Sequence, residues 1–142
     1  MIRRCWLFLF VAGALWIASK SVSVTSAQVP SDVYQDVYQG WKYWHVYCYR
    51  CHGQDALGST LAPTLIDPKV KRSLPDFLRI VRKGNPEKGM QAWDKLLDDK
   101  QITQLYYYVM ARTDKVLPPG RPDEVGPNGG RWIPPQGWPK SK

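Results

Sequence analysis

The chain has 142 residues, a formal net charge of +8, three cysteines and two histidines. This length predicts a single domain. The four cysteine and histidine side chains beyond residue 27 lie too close together in sequence for the usual zinc finger or ribbon, so these folds are excluded.

Residues 1–27 are typical of a secretory signal peptide. A basic start at Arg3 and Arg4 precedes an apolar run over residues 5–18, and small residues lead to a predicted cleavage site after Ala27. Cleavage would remove three basic residues and no acidic ones, which lowers the formal charge from +8 to +5. The alternative is an uncleaved membrane anchor, for which the apolar run is short.

The first helix of the mature chain is predicted to lead directly into a cysteine motif. Apolar or small residues recur at helical spacing from Val33 to Cys51, which indicates about five turns at ~3.6 residues each. Gly40 lies on the inner stripe of this helix. Because glycine lowers helix propensity, its presence there indicates that another helix crosses closely.

Residues 48–52 read Cys-Tyr-Arg-Cys-His, which is the C-x-x-C-H pattern of c-type haem attachment. In this pattern the thiols of Cys48 and Cys51 form thioether bonds to the two haem vinyl groups, and His52 binds the iron. The motif therefore predicts one covalently bound haem c with its iron. Two alternatives use the same residues. A thioredoxin-like pair needs a βαβ unit, which is not visible, and a zinc site needs four ligands.

A loop follows the motif, since glycines and prolines interrupt residues 53–68. If this loop passes the histidine side of the haem, the Pro63 carbonyl accepts a hydrogen bond from Nδ1 of His52. That bond would leave Nε2 of the imidazole for iron.

Two further helices are predicted from their capping residues. Residues 73–76 combine a serine cap, an early proline and an early acid, and Gly84 ends the helix that they open. Asp98 caps the next helix, with Gln101 as its capping-box partner.

A ligand on the haem face opposite His52 would be a methionine or a second histidine. His45 lies two turns before His52 on the same helix and cannot reach that face. Met110 lies within a predicted helix, where core packing is the commoner role. Met90 follows Gly89 in a loop, with enough chain between it and the motif to wrap around the haem. Elimination favours Met90, and core packing remains the alternative for Met110.

The positive charge is concentrated in residues 69–88, which contain seven basic and two acidic residues. Transient redox complexes use small interfaces and electrostatic steering, so we predict a docking face for an acidic partner. The alternative is a solvated helix face. Nucleic acid is not an expected partner of an exported haem protein. The predicted docking residues are Lys69, Lys71, Arg72, Arg79, Arg82, Lys83 and Lys88.

The composition shifts at residue 116. Seven of the twelve prolines and five of the eleven glycines lie between Pro118 and Lys142, which excludes regular helix or sheet. Trp132, Ile133 and Trp138 are unusual for a solvated linker. They are predicted either to dock on the domain, which we favour, or to bind a partner.

Taken together, residues 33–112 resemble class I cytochrome c. This resemblance implies an all-α, single-domain fold wrapped around one covalent haem, with Pro63 as the carbonyl partner of His52 and Met90 as the sixth ligand. One departure is Gln91, which stands where the family often has proline. The shared residues are Gly40, Trp44, Cys48, Cys51, His52, Gly53, Asp55, Pro63, Leu65, Met90, Leu105 and Tyr108.

Two stretches, residues 44–53 and 116–124, are similar to periplasmic cytochromes that accept electrons from PQQ-dependent methanol or alcohol dehydrogenases, in the branch of the lanthanide-type enzymes. This resemblance implies a periplasmic electron carrier, not an enzyme, between such a dehydrogenase and a downstream cytochrome or oxidase. It also implies no membrane span after cleavage. The predicted units are a signal peptide (1–27), a cytochrome c domain (28–115) and an irregular Pro/Gly-rich extension (116–142).

Two other functions remain open. One is a general periplasmic shuttle to a terminal oxidase. The other is a haem-based sensor or small haem enzyme with a labile methionine ligand, for which Gln91 after Met90 is the only support.

Overall fold

The computed structural model describes residues 31–139, so the predicted signal peptide at residues 1–27 lies outside the described residues. The described chain is helical, and its only β-pairing is an isolated bridge between Asn85 and Met90. The predicted all-α class is confirmed. None of the helices described is long and apolar enough to cross a membrane. The helices are α1 (Ser31–Tyr43), α2 (Tyr49–His52), α3 (Leu74–Lys83) and α4 (Asp99–Thr113).

The predicted first helix is not regular throughout. A π-helical turn, Trp44–Cys48, joins α1 to α2. A π-helical turn changes the direction of the side chains that follow it, and such turns are frequent at functional sites. Trp44 is buried at its start, and its indole Nε1 donates to the Gly53 carbonyl at 3.1 Å. This hydrogen bond joins the two ends of the segment that carries the cysteine motif.

The helix crossing predicted from Gly40 lies between α1 and α4. A Cβ at Gly40 would lie 2.0 Å from the carbonyl oxygen of Gln104 and 3.0 Å from Cβ of Tyr108. Val37, Ile102 and Leu105 are buried and belong to the same core cluster. The crossing therefore depends on the absence of a side chain at residue 40.

Replacing Gly40 by alanine is expected to destabilise the protein by about 2 kcal/mol or more, because overpacking costs ~1–3 kcal/mol even where side chains can give way. Here the obstacle is backbone, so the helix-propensity gain of ~1 kcal/mol is outweighed. The measurement is the denaturant midpoint, with Gln35→Ala at an exposed position of α1 as control. Equal midpoints for the two variants would show that the crossing tolerates a side chain.

The predicted caps of α3 and α4 are confirmed. The Ser73 hydroxyl accepts a hydrogen bond from the Asp76 amide at 3.3 Å, and Gly84 ends α3. Asp98 and Gln101 form both hydrogen bonds of a capping box, at 2.8 and 2.9 Å. These local bonds set where each helix begins, independently of the remainder of the fold.

The C-terminal segment packs against the domain through its two tryptophans. The indole of Trp132 donates to the Val116 carbonyl at 2.8 Å, and that of Trp138 donates to Asp114 Oδ2 at 3.0 Å. Both side chains are buried, whereas Ile133 is 63% exposed. The predicted packing on the domain is therefore confirmed for the two tryptophans, whereas Ile133 does not pack against it.

A buried polar cluster joins this segment to the loop after the cysteine motif. Asp55 Oδ1 accepts from the amide of Gly120 at 3.1 Å and lies 3.9 Å from Nε of Arg112. The Tyr108 hydroxyl lies 3.5 Å from the same carboxylate oxygen. Burial and the neighbouring Asp55 carboxylate raise the pKa of Tyr108, so this hydroxyl keeps its proton and donates.

Candidate haem-binding site

A cleft lies between the cysteine motif, α3 and the segment around Met90. It consists of two adjoining cavities of about 540 and 360 Å³, within the range typical of cofactor sites. Cys48, His52 and Met90 line both cavities, and Cys51 lines the larger one. Folding therefore brings Met90, which is distant in sequence, to the cleft that the three predicted haem contacts of the motif line.

The two cysteines are not disulfide-bonded to each other. Burial, and then the neighbouring Cys51, raise the pKa of Cys48 to about 12. A raised pKa is the opposite of the lowered pKa that is typical of the reactive cysteine in thioredoxin-type exchange. In addition, no group of three or more potential metal-ligating side chains occurs within residues 31–139. The first observation argues against the thioredoxin alternative, and the second argues against the zinc site.

The ring of His52 is oriented by the loop that follows it. Its Nδ1 lies 3.0 Å from the carbonyl oxygen of Pro63, and both residues line the smaller cavity. A carbonyl oxygen only accepts hydrogen bonds, so Nδ1 must carry the proton and donate it. Nε2 then keeps its lone pair, which is the form of histidine that binds a metal.

Backbone hydrogen bonds hold this loop against the motif. The amide of Gly58 donates to the His52 carbonyl at 2.8 Å, and that of Leu65 donates to the Ala56 carbonyl at 3.0 Å. Gly53 has φ +73°, and a Cβ there would lie 2.2 Å from the Gly58 carbonyl oxygen. The Pro63 carbonyl is therefore presented to His52 by a closed loop that requires glycine at residue 53.

Met90 lies at the end of a short closed loop. Asn85 and Met90 exchange two backbone hydrogen bonds, of 2.8 and 3.0 Å. Gly84 packs against this pair, since a Cβ there would lie 2.5 Å from the Met90 carbonyl oxygen. The exposed Gln91 follows. The loop is closed by its own hydrogen bonds, although it lacks the proline that the family often has after the methionine.

The other two candidates for an axial ligand lie elsewhere. His45 is exposed on the first helical segment, and its Nδ1 lies 2.8 Å from the Trp41 carbonyl oxygen. Met110 is buried in α4, where it lines a separate small cavity beside Phe77. Neither residue lines the cleft that contains His52 and Met90.

The basic residues of segment 69–88 do not form one uniform face. Arg72, Arg79 and Lys88 line the cleft. Lys69 and Lys83 are exposed and do not line it. Several others pair with acids: Lys71 with Asp114 at 2.7 Å, Arg79 with Asp76 at 3.2 Å, and Arg82 with Asp99. Pairing lowers the net charge that those three present to a partner.

Several residues of the cleft were not predicted to contribute to it, among them Trp93, Leu61 and Arg50. Trp93 lines both cavities and packs edge-on against Tyr47, with ring centroids 5.6 Å apart. Leu61 is 71% exposed at the cleft margin. Arg50 is exposed and lines the larger cavity. Because Arg50 lies inside the C-x-x-C-H motif, its place beside the cleft could have been predicted from the sequence. Nothing in the sequence distinguishes Leu61.

Comparison with known proteins gave consistent matches. The family model described as "Cytochrome C oxidase, cbb3-type, subunit III" matches residues 35–109. The chain is 28% identical over 114 residues to cytochrome c-553I of Paracoccus denitrificans, an alignment covering 75% of this chain and 50% of that protein.

A solved structure is also similar. The c-type cytochrome XoxG from Methylobacterium extorquens AM1 superimposes with a TM-score of 0.56 at 32% identity, over 61% of this chain and 56% of that one. The chain thus spans about half the length of the relatives that it matches.

Proposed function

The chain belongs to the c-type cytochromes, in the family whose model is described as cbb3-type cytochrome c oxidase subunit III, and on that basis we propose that it is a periplasmic one-electron carrier. In this proposal it accepts electrons from a PQQ-dependent methanol or alcohol dehydrogenase. It passes them to a downstream cytochrome or oxidase.

Haem c with its iron is the cofactor, and the residues of the cleft fit it. Cys48 and Cys51 supply the two thiols, and His52 supplies an imidazole whose Nε2 is free for iron. Met90 supplies a thioether, a soft neutral ligand that favours ferrous iron. When bound, the haem supplies reversible one-electron chemistry.

The observation that carries the proposal is that His52 and Met90 line the same cleft. If both bind iron, no position is left for oxygen or a substrate. Electron transfer is then the chemistry that remains. The closed backbone of the loop before Met90 also favours a retained methionine over a labile one.

The assignment of the donor rests on the two stretches similar to cytochromes of lanthanide-type methanol dehydrogenases, residues 44–53 and 116–124. In the structure only the first of these stretches lines the cleft. The first contains the haem motif, and the second includes Gly120, whose amide donates to Asp55. The similarity of the fold to the c-type cytochrome XoxG supports a cytochrome c and does not by itself name the donor.

We place the docking contact at the margin of the larger cavity, where Cys51 is exposed. Leu61 supplies an exposed apolar side chain there, and Arg50 and Lys88 supply exposed charges. A small apolar contact with a polar fringe is typical of transient redox complexes. Of the seven predicted docking residues, Lys88 is the one at this margin.

The test is stopped-flow reduction of the oxidised protein by methanol dehydrogenases of each metal type, with methanol present, at low and high salt. We expect fast reduction by one enzyme type and a rate that falls with ionic strength. Lys88→Glu should slow this reaction by about tenfold, at the low end of electrostatic steering effects.

Lys69→Glu is the matched control, because Lys69 is exposed but does not line the cleft. It should slow the reaction less than Lys88→Glu. Slow or equal reduction by every enzyme would refute the dedicated donor and favour a general periplasmic shuttle.

A further inference from the structure

The chain turns directly after the haem motif at two residues with left-handed backbone conformations. Asp55 has φ +55° and Ala56 has φ +63°, and both side chains are buried. Residues that carry a Cβ rarely adopt a positive φ, and such conformations persist where the surrounding structure holds them. The contacts that Asp55 and Ala56 make therefore show what fixes this turn.

Two hydrogen-bonded links join the turn to the C-terminal segment, residues 116–139. In the first, the amide of Gly120 donates to Asp55 Oδ1 at 3.1 Å. In the second, the Arg112 guanidinium donates from Nη1 to the Leu117 carbonyl at 2.6 Å and from Nε to the Asp55 carbonyl at 3.4 Å. Asp55 and Arg112 are both buried, so loss of either link would leave a buried polar group without its partner.

The C-terminal segment is itself packed on both sides of Gly120. Leu117 and Pro122 are fully buried. The amide of Trp132 donates to the Pro122 carbonyl at 2.6 Å, and its indole donates to the Val116 carbonyl at 2.8 Å. The amide that Gly120 presents to Asp55 is therefore held in a fixed position.

Ala56 links the same turn to the loop that orients His52. Its carbonyl accepts from the Leu65 amide at 3.0 Å and from the Thr64 hydroxyl at 3.1 Å. These two donors directly follow Pro63, whose carbonyl oxygen lies 3.0 Å from Nδ1 of His52. The position of the carbonyl that orients His52 therefore depends on the turn.

This loop has little packing of its own. Leu57 is 57% exposed, Leu61 is 71% exposed, and residues 59 and 60 are exposed as well. Gly58 and Ser59 hydrogen-bond to the motif and hold the first half of the loop. The half that carries the Pro63 carbonyl is held at Ala56. Segments with few buried contacts open locally, so the anchors at their ends decide how often they do.

We infer that Asp55 is a positioning residue, through which the packed C-terminal segment holds the Pro63 carbonyl against His52. The path runs from the Gly120 amide to the Asp55 carboxylate, and through the turn to the Ala56 carbonyl. A hydrogen bond to the second ring nitrogen of a metal-binding histidine fixes its orientation and raises its basicity. The segment thus acts on the proximal ligand, although none of its described residues lines the cleft.

The experiment is proton NMR of the haem-loaded full chain at one fixed pH, and it measures solvent exchange of the His52 Nδ1 proton. Asp55→Ala should speed this exchange by about tenfold, the effect of losing a buried hydrogen-bond partner. The Leu65 amide should exchange faster as well. Amides of residues 102–106 in α4 report opening of the whole domain, and the increase at His52 should exceed theirs.

Gln54→Ala is the matched control, because Gln54 precedes Asp55 in the same turn, is exposed, and has no side-chain hydrogen bond within residues 31–139. We expect its exchange rates to equal those of the unchanged protein. Equal His52 rates in Gln54→Ala and Asp55→Ala would overturn the inference. Asp55→Asn keeps an oxygen for the Gly120 amide and should speed the exchange by less. If Asp55→Ala fails to fold, an unchanged His52 rate in Asp55→Asn overturns the inference instead.

A second variant tests whether the effect comes from the C-terminal segment. Trp132→Phe keeps an aromatic ring but removes the indole donor to Val116, so it should speed exchange of the His52 proton. In the Asp55→Ala background it should add nothing, because the path is already broken there. Equal increments in the two backgrounds would overturn a route through Asp55.

The inference rests on the proposed role of His52 as a haem ligand and is independent of the proposed donor, since no dehydrogenase enters the test. Iron ligation is read separately, from the paramagnetic shift of the Nδ1 proton in the oxidised protein. Failure of the ligand assignment and failure of the inference about Asp55 therefore give different results.

Discussion

Replacing His52 by alanine is expected to abolish the six-coordinate, low-spin haem spectrum while leaving the haem attached through Cys48 and Cys51. The imidazole is the proposed proximal ligand, and the 3.0 Å contact between Nδ1 and the Pro63 carbonyl leaves its Nε2 available. No other histidine lines the cleft in the described chain. The measurement is the absorption spectrum of the purified variant in both oxidation states.

Two comparisons make this result specific. His45→Ala removes the other histidine, which is exposed and does not line the cleft, and should leave the spectrum unchanged. Added imidazole should restore a low-spin spectrum to His52→Ala by entering the space left by the side chain. A His52→Ala spectrum identical to that of the unchanged protein would refute the proximal assignment.

Replacing Met90 by alanine is expected to remove the sulfur-to-iron charge-transfer band and to lower the reduction potential. Loss of a thioether removes the ligand that stabilises ferrous iron. The expected decrease is roughly 0.1 V or more, a fraction of the ~0.8 V range over which axial ligands set haem potentials. Absorption spectroscopy and a redox titration measure the two effects on one sample.

Met110→Leu provides the matched control for Met90→Ala. Met110 is buried in α4 and lines a separate cavity, so leucine should keep the packing and leave the band in place. If the band persists in Met90→Ala and disappears in Met110→Leu, the sixth ligand lies outside the loop that begins at Asn85.

His52 and Met90 also differ in how far their roles could be predicted from the sequence. Cys48, Cys51 and His52 form a contiguous motif, so their chemistry can be read without knowing the fold. Met90 could be predicted as a ligand only by eliminating the other candidate side chains and by the family resemblance. The structure adds its place in the cleft, which depends on the hydrogen bonds that close the loop from Asn85 and on the close approach at Gly84.

The basic segment shows the limit of reading charge along a chain. Residues 69–88 were predicted to present one docking face because their charges are contiguous in sequence. In the structure Arg72 and Arg79 line the cleft, whereas Lys71 and Arg82 pair with acids at either end of α4. Which way a long side chain points, and which acid it meets, depends on elements that are remote in sequence.

The sequence by itself determined the features that depend on near neighbours. These are the haem motif, the caps at Ser73 and Asp98, and the need for a close helix crossing at Gly40. Each involves bonds or steric limits within a few residues, or a glycine that only a close contact explains.

Only the tertiary structure decided which groups distant in sequence meet. It placed His52 with Met90 in one cleft, enclosed Asp55 beside Arg112, and buried Trp132 and Trp138 against the domain. The physical reason is that such contacts form when the apolar surfaces of α1, α4 and the C-terminal segment are removed from water together. That burial is a property of the whole packed chain, and no local pattern specifies it.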